Sequence, residues 1–309
     1  MDAVMSQMAL LACGLVLGFV LRRVKIMNDD VIHGMTRLVI DVTMPCMIVA
    51  AVITRDSLPD IPTIGMIFAA AWGMYAVILA VAFVVPYLFR LDKSKFGTYR
   101  FMTVFGNTGF LGFPLCAAIF GQQSVLYASI FNIPFNILCF TVGILMLSQN
   151  HSKSAAQQLK ECSKQLVSPT LISCFAALTL ALLGVCDVGT PGMIMKTFGD
   201  MTTPAALLIL GANLSKVPAK ALVSHLRPFM LAATRLILVP LLVFFIFRNI
   251  ITDPVVLGVL VVTCGMPVAT NGTLLCVRYG GDLDTIVSCT FITTVLSIAT
   301  IPLLVSIVV

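Results

Sequence analysis

The sequence predicts an all-α integral membrane protein of ten transmembrane helices, arranged as two inverted five-helix repeats. Three observations carry this expectation. Apolar residues make up 59% of the 309-residue chain and charged residues only 10%, against about 25% charged in a soluble domain. The apolar residues fall in runs near the ~20 residues that cross a bilayer. A short motif recurs at corresponding places in the two halves of the chain.

The runs place spans at 4–21, 31–53, 61–89, 96–120, 124–147, 168–186, 193–214, 222–247, 254–277 and 283–308. The first run has no basic stretch before it and is followed by Arg22, Arg23 and Lys25. That pattern reads as an uncleaved first span. A polar stretch carrying Lys153, Lys160, Glu161 and Lys164 separates spans five and six. It divides the chain into a first repeat (1–147), a cytoplasmic linker (148–167) and a second repeat (168–309).

Basic residues set the orientation. With the N-terminus outside, the inner loops hold Arg22, Arg23, Lys25, Arg90, Lys93, Lys95, Arg100, Lys153, Lys160, Lys164, Lys216, Lys220, Arg227 and Arg278. The outer loops hold only Arg55, Lys196 and Arg248. This bias predicts a multi-pass protein of the cytoplasmic membrane with both termini outside. The net charge of +6 is therefore read as topology and contact with anionic lipid, and no nucleic-acid partner is expected.

The repeat is visible in Asp41-Val42-Thr43-Met44-Pro45 of span two and Asp200-Met201-Thr202-Thr203-Pro204 of span seven. Spans three and eight each carry a late proline, Pro86 and Pro240. A unit of five spans is odd, so its second copy enters the membrane from the opposite side. That inverted arrangement is common in secondary transporters.

Spans four and nine are both interrupted. Span four contains Gly106-Asn107-Thr108-Gly109-Phe110-Leu111-Gly112-Phe113-Pro114, and span nine contains Gly265-Met266-Pro267-Val268-Ala269-Thr270-Asn271-Gly272-Thr273. Glycine and proline at this density disfavour a continuous helix. A break inside a membrane frees backbone groups that protein, water or solute must meet. New helix N-termini there favour negative charge. Asn107, Thr108, Gly109, Pro114, Gly265, Pro267, Thr270, Asn271, Gly272 and Thr273 are the expected solute-binding residues.

The two interrupted motifs, with Arg278-Tyr279-Gly280-Gly281-Asp282 and the Asp-x-Thr-x-Pro segment, resemble the auxin efflux carrier family in its short bacterial form. The resemblance covers essentially the whole chain. It implies a fold related to the bile/arsenite/riboflavin transporter-like proteins. Helices 1, 2, 6 and 7 would form a scaffold, and helices 3–5 and 8–10 a transport domain moving as an elevator. The broken helices would cross at Pro114 and Pro267. A homodimer through the scaffold is implied, with carboxylates such as malate and malonate as solutes. The short central loop departs from the long loop of many plant carriers.

Other polar residues admit two readings each. Arg235, within span eight, either supplies a positive field for a carboxylate or serves as a structural or snorkelling residue. Asp41 and Asp200 either titrate and couple proton flow, if buried, or pair locally, Asp41 with Arg37. Asn132 and Asn136 share a helix face and line the cavity or stitch helices together. Thr290, Thr293, Thr294 and Ser297 are expected to bond back along span ten. Gly14 and Gly18 form a close-packing seam in a scaffold or dimer. His33, His151 and His225 show no metal spacing, and the ten cysteines read as packing residues. No metal or cofactor is expected.

A small organic anion carrier, driven by membrane potential or a proton gradient, is the reading these features favour. Sodium coupling is the alternative, weakened because neither broken segment contains Asp or Glu. An intramembrane protease is disfavoured: Tyr279-Gly280-Gly281-Asp282 has Tyr where Gly is needed. A passive channel or sensor has no need of two matched breaks.

Overall fold

The computed structural model describes residues 2–148, 168–215 and 226–308. The linker basics Lys153, Lys160 and Lys164, with Glu161, His151, Cys162, Lys216, Lys220 and His225, lie outside the described residues.

The described chain is helical. Its elements are α1 (Asp2–Arg23), α2 (Asp29–Ile53), α3 (Ile61–Leu88), α4 (Phe96–Val104), α5 (Thr108–Phe120), α6 (Ser124–Leu147) and α7 (Pro169–Leu182). They continue with α8 (Thr190–Asp200), α9 (Thr202–Leu214), α10 (Leu226–Phe247), α11 (Pro254–Cys264), α12 (Asn271–Tyr279) and α13 (Leu283–Val308). Five of them, α2, α3, α6, α10 and α13, are long and apolar enough to cross a membrane. The 25 residues of α2 extend about 37 Å at ~1.5 Å per residue, against a hydrocarbon core of ~30 Å. Large apolar side chains such as Leu183, Leu226 and Leu274 point outward, as lipid-facing residues do.

Prolines shape these helices locally. Three π-helical turns, Val39–Thr43, Thr108–Gly112 and Thr234–Leu238, each end two residues before a proline: Pro45, Pro114 and Pro240. Proline lacks an N–H and its ring collides with the carbonyl four residues back. Widening the preceding turn relieves both faults. A fourth π turn, Cys139–Gly143, follows Pro134 in α6. Span seven is interrupted where one helix was expected. α8 ends at Asp200 and α9 starts at Thr202, so Pro204 falls in a first turn, where no intrahelical N–H is needed.

The chain divides into two compact units. The first comprises Met1–Ile67, Gly109–Ile130 and Pro169–Pro218. Its helices approach closely at glycines. A Cβ on Gly18 would run into the Leu208 carbonyl oxygen, and one on Gly211 into the Leu15 carbonyl oxygen. Gly14 and Gly18 thus pack α1 against α9 of the same chain. A Cβ on Gly199 would lie 2.7 Å from Cα of Met47, so α8 sits on the backbone of α2. The Thr202 hydroxyl donates to the Thr43 hydroxyl at 3.0 Å.

The second unit comprises Phe68–Thr108, Phe131–Ser168 and Ala219–Val309. An aromatic row, Phe101–Phe105–Phe135, runs through it with ring centroids 4.9 and 5.9 Å apart. Gly143 makes room for Phe101 and Phe105, and Gly97 for the Met146 carbonyl. Cys139, Cys264, Cys276 and Cys289 are buried there and act as small apolar residues.

Candidate functional site

The two helix breaks meet within the second unit. α4 stops at Val104 because Phe105 is extended, at φ −101° and ψ 106°. α11 stops at Cys264, and Pro267 follows three residues later with no N–H to continue it. Gly106 and Val268 form an antiparallel bridge. The Asn107 N–H donates to the Pro267 carbonyl at 2.7 Å, and the Ala269 N–H to the Phe105 carbonyl at 3.0 Å. The Val268 N–H donates to the Thr293 hydroxyl of α13 at 3.2 Å. Buried backbone groups freed by a break require such partners.

The pairing falls at Gly106 and Asn107, while Pro114 lies in the helical turn after the π segment. Of the two prolines expected at the crossing, Pro267 takes part in these bonds through its carbonyl. Pro114 acts one turn upstream of itself, by widening Thr108–Gly112.

Arg235 closes the other side of the break. Only 1% of it is exposed. Its Nη1 donates to the carbonyls of Thr103 at 2.6 Å and Val104 at 3.1 Å, and its Nε to the carbonyl of Met266 at 3.1 Å. These carbonyls lie at the C-terminal end of α4 and just past that of α11. Nη2 lies against Gly106, where any Cβ would collide with it. Backbone carbonyls hold the side chain, in the place a carboxylate partner would take.

Uncharged polar groups remain around the pair. Asn107 is buried. The Thr108 hydroxyl donates to Oδ1 of Asn132 at 2.9 Å, and Asn136 Nδ2 donates to the Asn132 carbonyl at 2.8 Å. Oδ1 of Asn271 is buried and, among the described residues, has no hydrogen-bond partner, a costly state for an amide oxygen. α12 begins at this residue, and the Thr270 side chain before it makes no capping hydrogen bond. Thr270 is exposed and Thr273 half-buried.

This chain is matched over residues 3–305 by the model of a family described as "Membrane transport protein". The chain belongs to that family, the auxin efflux carriers. An "Uncharacterized transporter" of Methanothermobacter thermautotrophicus is 25% identical over 302 residues, covering 93% of this chain and 92% of the relative. A protein of Rhizobium meliloti named "Putative malonate transporter" is 23% identical over 234 residues, covering 74% and 72%. A further "Uncharacterized transporter", from Methanocaldococcus jannaschii, is 28% identical over 224 residues, covering 70% of each chain.

The remaining predicted residues divide by place. Gly272 admits the Phe101 ring, with Cε1 2.6 Å from where its Cβ would be, and Gly265 admits Leu304. Gly109, by contrast, has open space around it. Gly109, Pro114, Asp41 and Asp200 belong to the first unit. Asp41 pairs with Arg37 at 3.4 Å. Asp200 pairs with Lys196 at 2.7 Å and accepts from Gln122 at 2.9 Å. Their side chains are 42% and 44% exposed, so the burial expected of a proton-coupling carboxylate is not found.

The Tyr279-Gly280-Gly281-Asp282 segment is a turn and a cap. Gly280 and Gly281 have φ of 102° and 111°, a region open mainly to glycine. The Asp282 carboxylate accepts from the Thr285 N–H and hydroxyl at 3.0 and 2.7 Å, and meets Lys95 Nζ at 2.9 Å. Burial pulls this carboxyl up, but these bonds outweigh it and hold it below the ordinary carboxylate range. Sequence reading overlooked this tie, although an acid followed three residues later by Thr at a helix start is a capping signal. The Thr293 contact to Val268 was also missed. Thr293, Thr294 and Ser297 do bond back along α13, as expected, at 2.6–2.7 Å, whereas the buried Thr290 hydroxyl, against expectation, has no hydrogen-bond partner among the described residues.

Proposed function

We propose that the protein is an elevator-type secondary transporter that moves a small organic anion, a mono- or dicarboxylate, across the cytoplasmic membrane. The observation that carries this reading is the direct pairing of two interrupted helices beside uncharged amides. Asn107, Thr108, Gly109, Pro114, Gly265, Pro267, Thr270, Asn271, Gly272 and Thr273 would frame the solute, with Asn132 and Asn136 behind them. The Asn271 Oδ1, without a partner among the described residues, and the first turn of α12, which the Thr270 side chain does not cap, give the solute polar groups to satisfy. The name of the Rhizobium meliloti relative supports a carboxylate.

In this reading, ten spans form two inverted repeats, with both termini outside. Helices 1, 2, 6 and 7 form the scaffold and the dimer contact, and helices 3–5 and 8–10 the moving part. Transport is driven by membrane potential or a proton gradient. The contact between Thr43 and Thr202 supports the repeat, since they occupy the same place in the two motifs.

A screen of mono- and dicarboxylates by thermal shift and by uptake into proteoliposomes tests this. The best solute is expected to lose at least about tenfold in affinity in Asn107→Ala and Asn271→Ala, the cost of one or two charge-assisted hydrogen bonds. Full binding by both variants would place the site elsewhere. Uptake without counterflow or saturation would point to a channel. Repeating the uptake with and without sodium, and at two pH values, identifies the driving ion.

A further inference from the structure

We propose that Arg235 is the element that makes the paired helix breaks selective for anions, by cancelling the negative helix ends that meet there. This rests on the solute site proposed above and adds its charge selectivity. A helix end carries about half an elementary charge, positive at the N-terminus and negative at the C-terminus. Two broken helices bring two ends of each sign to one place. The C-terminal ends of α4 and α11 therefore oppose the N-terminal ends of α5 and α12. Broken helices alone give a site with almost no net field.

The guanidinium changes that balance. Its three hydrogen bonds go to carbonyls at or just past the ends of α4 and α11. One fixed charge thus offsets both negative ends, at about half a charge each, and leaves the two N-terminal ends unopposed. Among the described residues no carboxylate pairs with the guanidinium, so its charge is not spent on an ion pair there. An arginine side chain also stays charged through the physiological pH range. The cost of burying it is met by backbone acceptors, which add no opposing formal charge. Gly106 belongs to the same device. Its missing side chain lets Nη2 lie against the backbone of the pair, one residue from Asn107. Arg235 is in this sense a positioning residue that acts through the backbone and its field.

The field is measurable without knowing the solute. Asn107→Asp introduces a carboxyl next to Gly106, and its protonation can be followed by the infrared carboxyl band of the purified protein against pH. Adding Arg235→Met to this variant is expected to raise the midpoint by about 1–3 pH units, the effect of removing a nearby opposite charge. Arg235→Lys, which keeps the charge and loses the fork, is expected to shift it by less than half as much. Arg235→Gln serves as the neutral replacement if the methionine variant does not fold. Equal midpoints with and without the charge would overturn the proposal. So would a lysine variant that behaves like the neutral one.

A second arm reads transport in proteoliposomes, with malonate, malonamate and malonamide as probes carrying two, one and no charges. Wild type is expected to prefer the charged probes, and Arg235→Met to lose at least about tenfold of that preference while remaining folded. An equal fall for all three probes would mark Arg235 as a structural clip alone. A wild type that takes none of them removes the carboxylate reading, while the infrared midpoints still decide the role of Arg235.

Discussion

The hydroxyl oxygens of Thr43 and Thr202 are 3.0 Å apart, and both residues are fully buried. The two threonines hold the same position in the two Asp-x-Thr-x-Pro segments, 159 residues apart. In the proposed repeat, equivalent residues of the two copies touch only where the copies face each other. This bond is therefore a probe of the repeat. Thr202→Val is expected to cost about 0.6–1.7 kcal/mol, the range for hydrogen bonds between membrane helices. The double variant with Thr43→Val should cost less than the sum of the singles. Reversible unfolding in mixed detergent micelles measures both, and strict additivity would deny the contact.

Close helix approach in the first unit gives a second expectation. Gly211→Val drives a side chain into the Leu15 carbonyl, whereas Gly34 has nothing within 4 Å of where its Cβ would be. The first change should destabilise by about 1–3 kcal/mol, as overpacking does. Gly34→Ala in α2 should instead stabilise, by up to about 1 kcal/mol. Thermal unfolding of the two variants in one detergent separates them.

Glycines near the break are expected to part in the same way. Gly272→Ala meets the Phe101 ring, while Gly109→Ala meets nothing. The first should lower the melting temperature and weaken transport together. The second should leave the melting temperature within about 2 °C of wild type, less than a 1 kcal/mol change produces. Any loss of uptake in Gly109→Ala then reports on the solute path.

Acid is expected to loosen the junction between α12 and α13. The Asp282 carboxyl sits below its ordinary range. A depressed carboxyl stabilises the folded state fully above its unfolded pKa, near 4, and loses that contribution as pH falls through the lower folded value. Hydrogen exchange at Gly281–Thr285 should therefore quicken below about pH 4, over and above the intrinsic pH dependence. Asp282→Asn should show the faster exchange already at neutral pH. No difference between the two proteins at pH 7 would mean that the Lys95 and Thr285 contacts carry no stability.

Much of this architecture was legible because glycine and proline act locally. The interruptions of spans four and nine follow from residues that cannot sustain a helix, and the structure breaks both. Where the two segments pair was not legible. A proline disturbs the turn before it, so Pro114 marks a π turn and leaves the bridge to Gly106. The partners of Arg235 were equally hidden. Carbonyl oxygens belong to every residue, and no side chain announces that three of them converge on one guanidinium. Local pairing was legible: Asp41 meets Arg37, as one of its two readings had it, and Asp200 likewise meets the cation one turn earlier, Lys196.

The π turns carry a consequence for comparing this chain with its relatives. A π turn is an α-helix that has taken in one extra residue without changing the faces of the helix on either side. Deleting one residue from 39–43, 108–112, 139–143 or 234–238 would close the bulge and leave every later side chain aimed as before. Elsewhere in a span, the same deletion rotates all that follows by about 100°, since each residue advances the helix by 1/3.6 of a turn. Single-residue gaps inside membrane spans, which usually signal a faulty alignment, are therefore structurally tolerable at these four places.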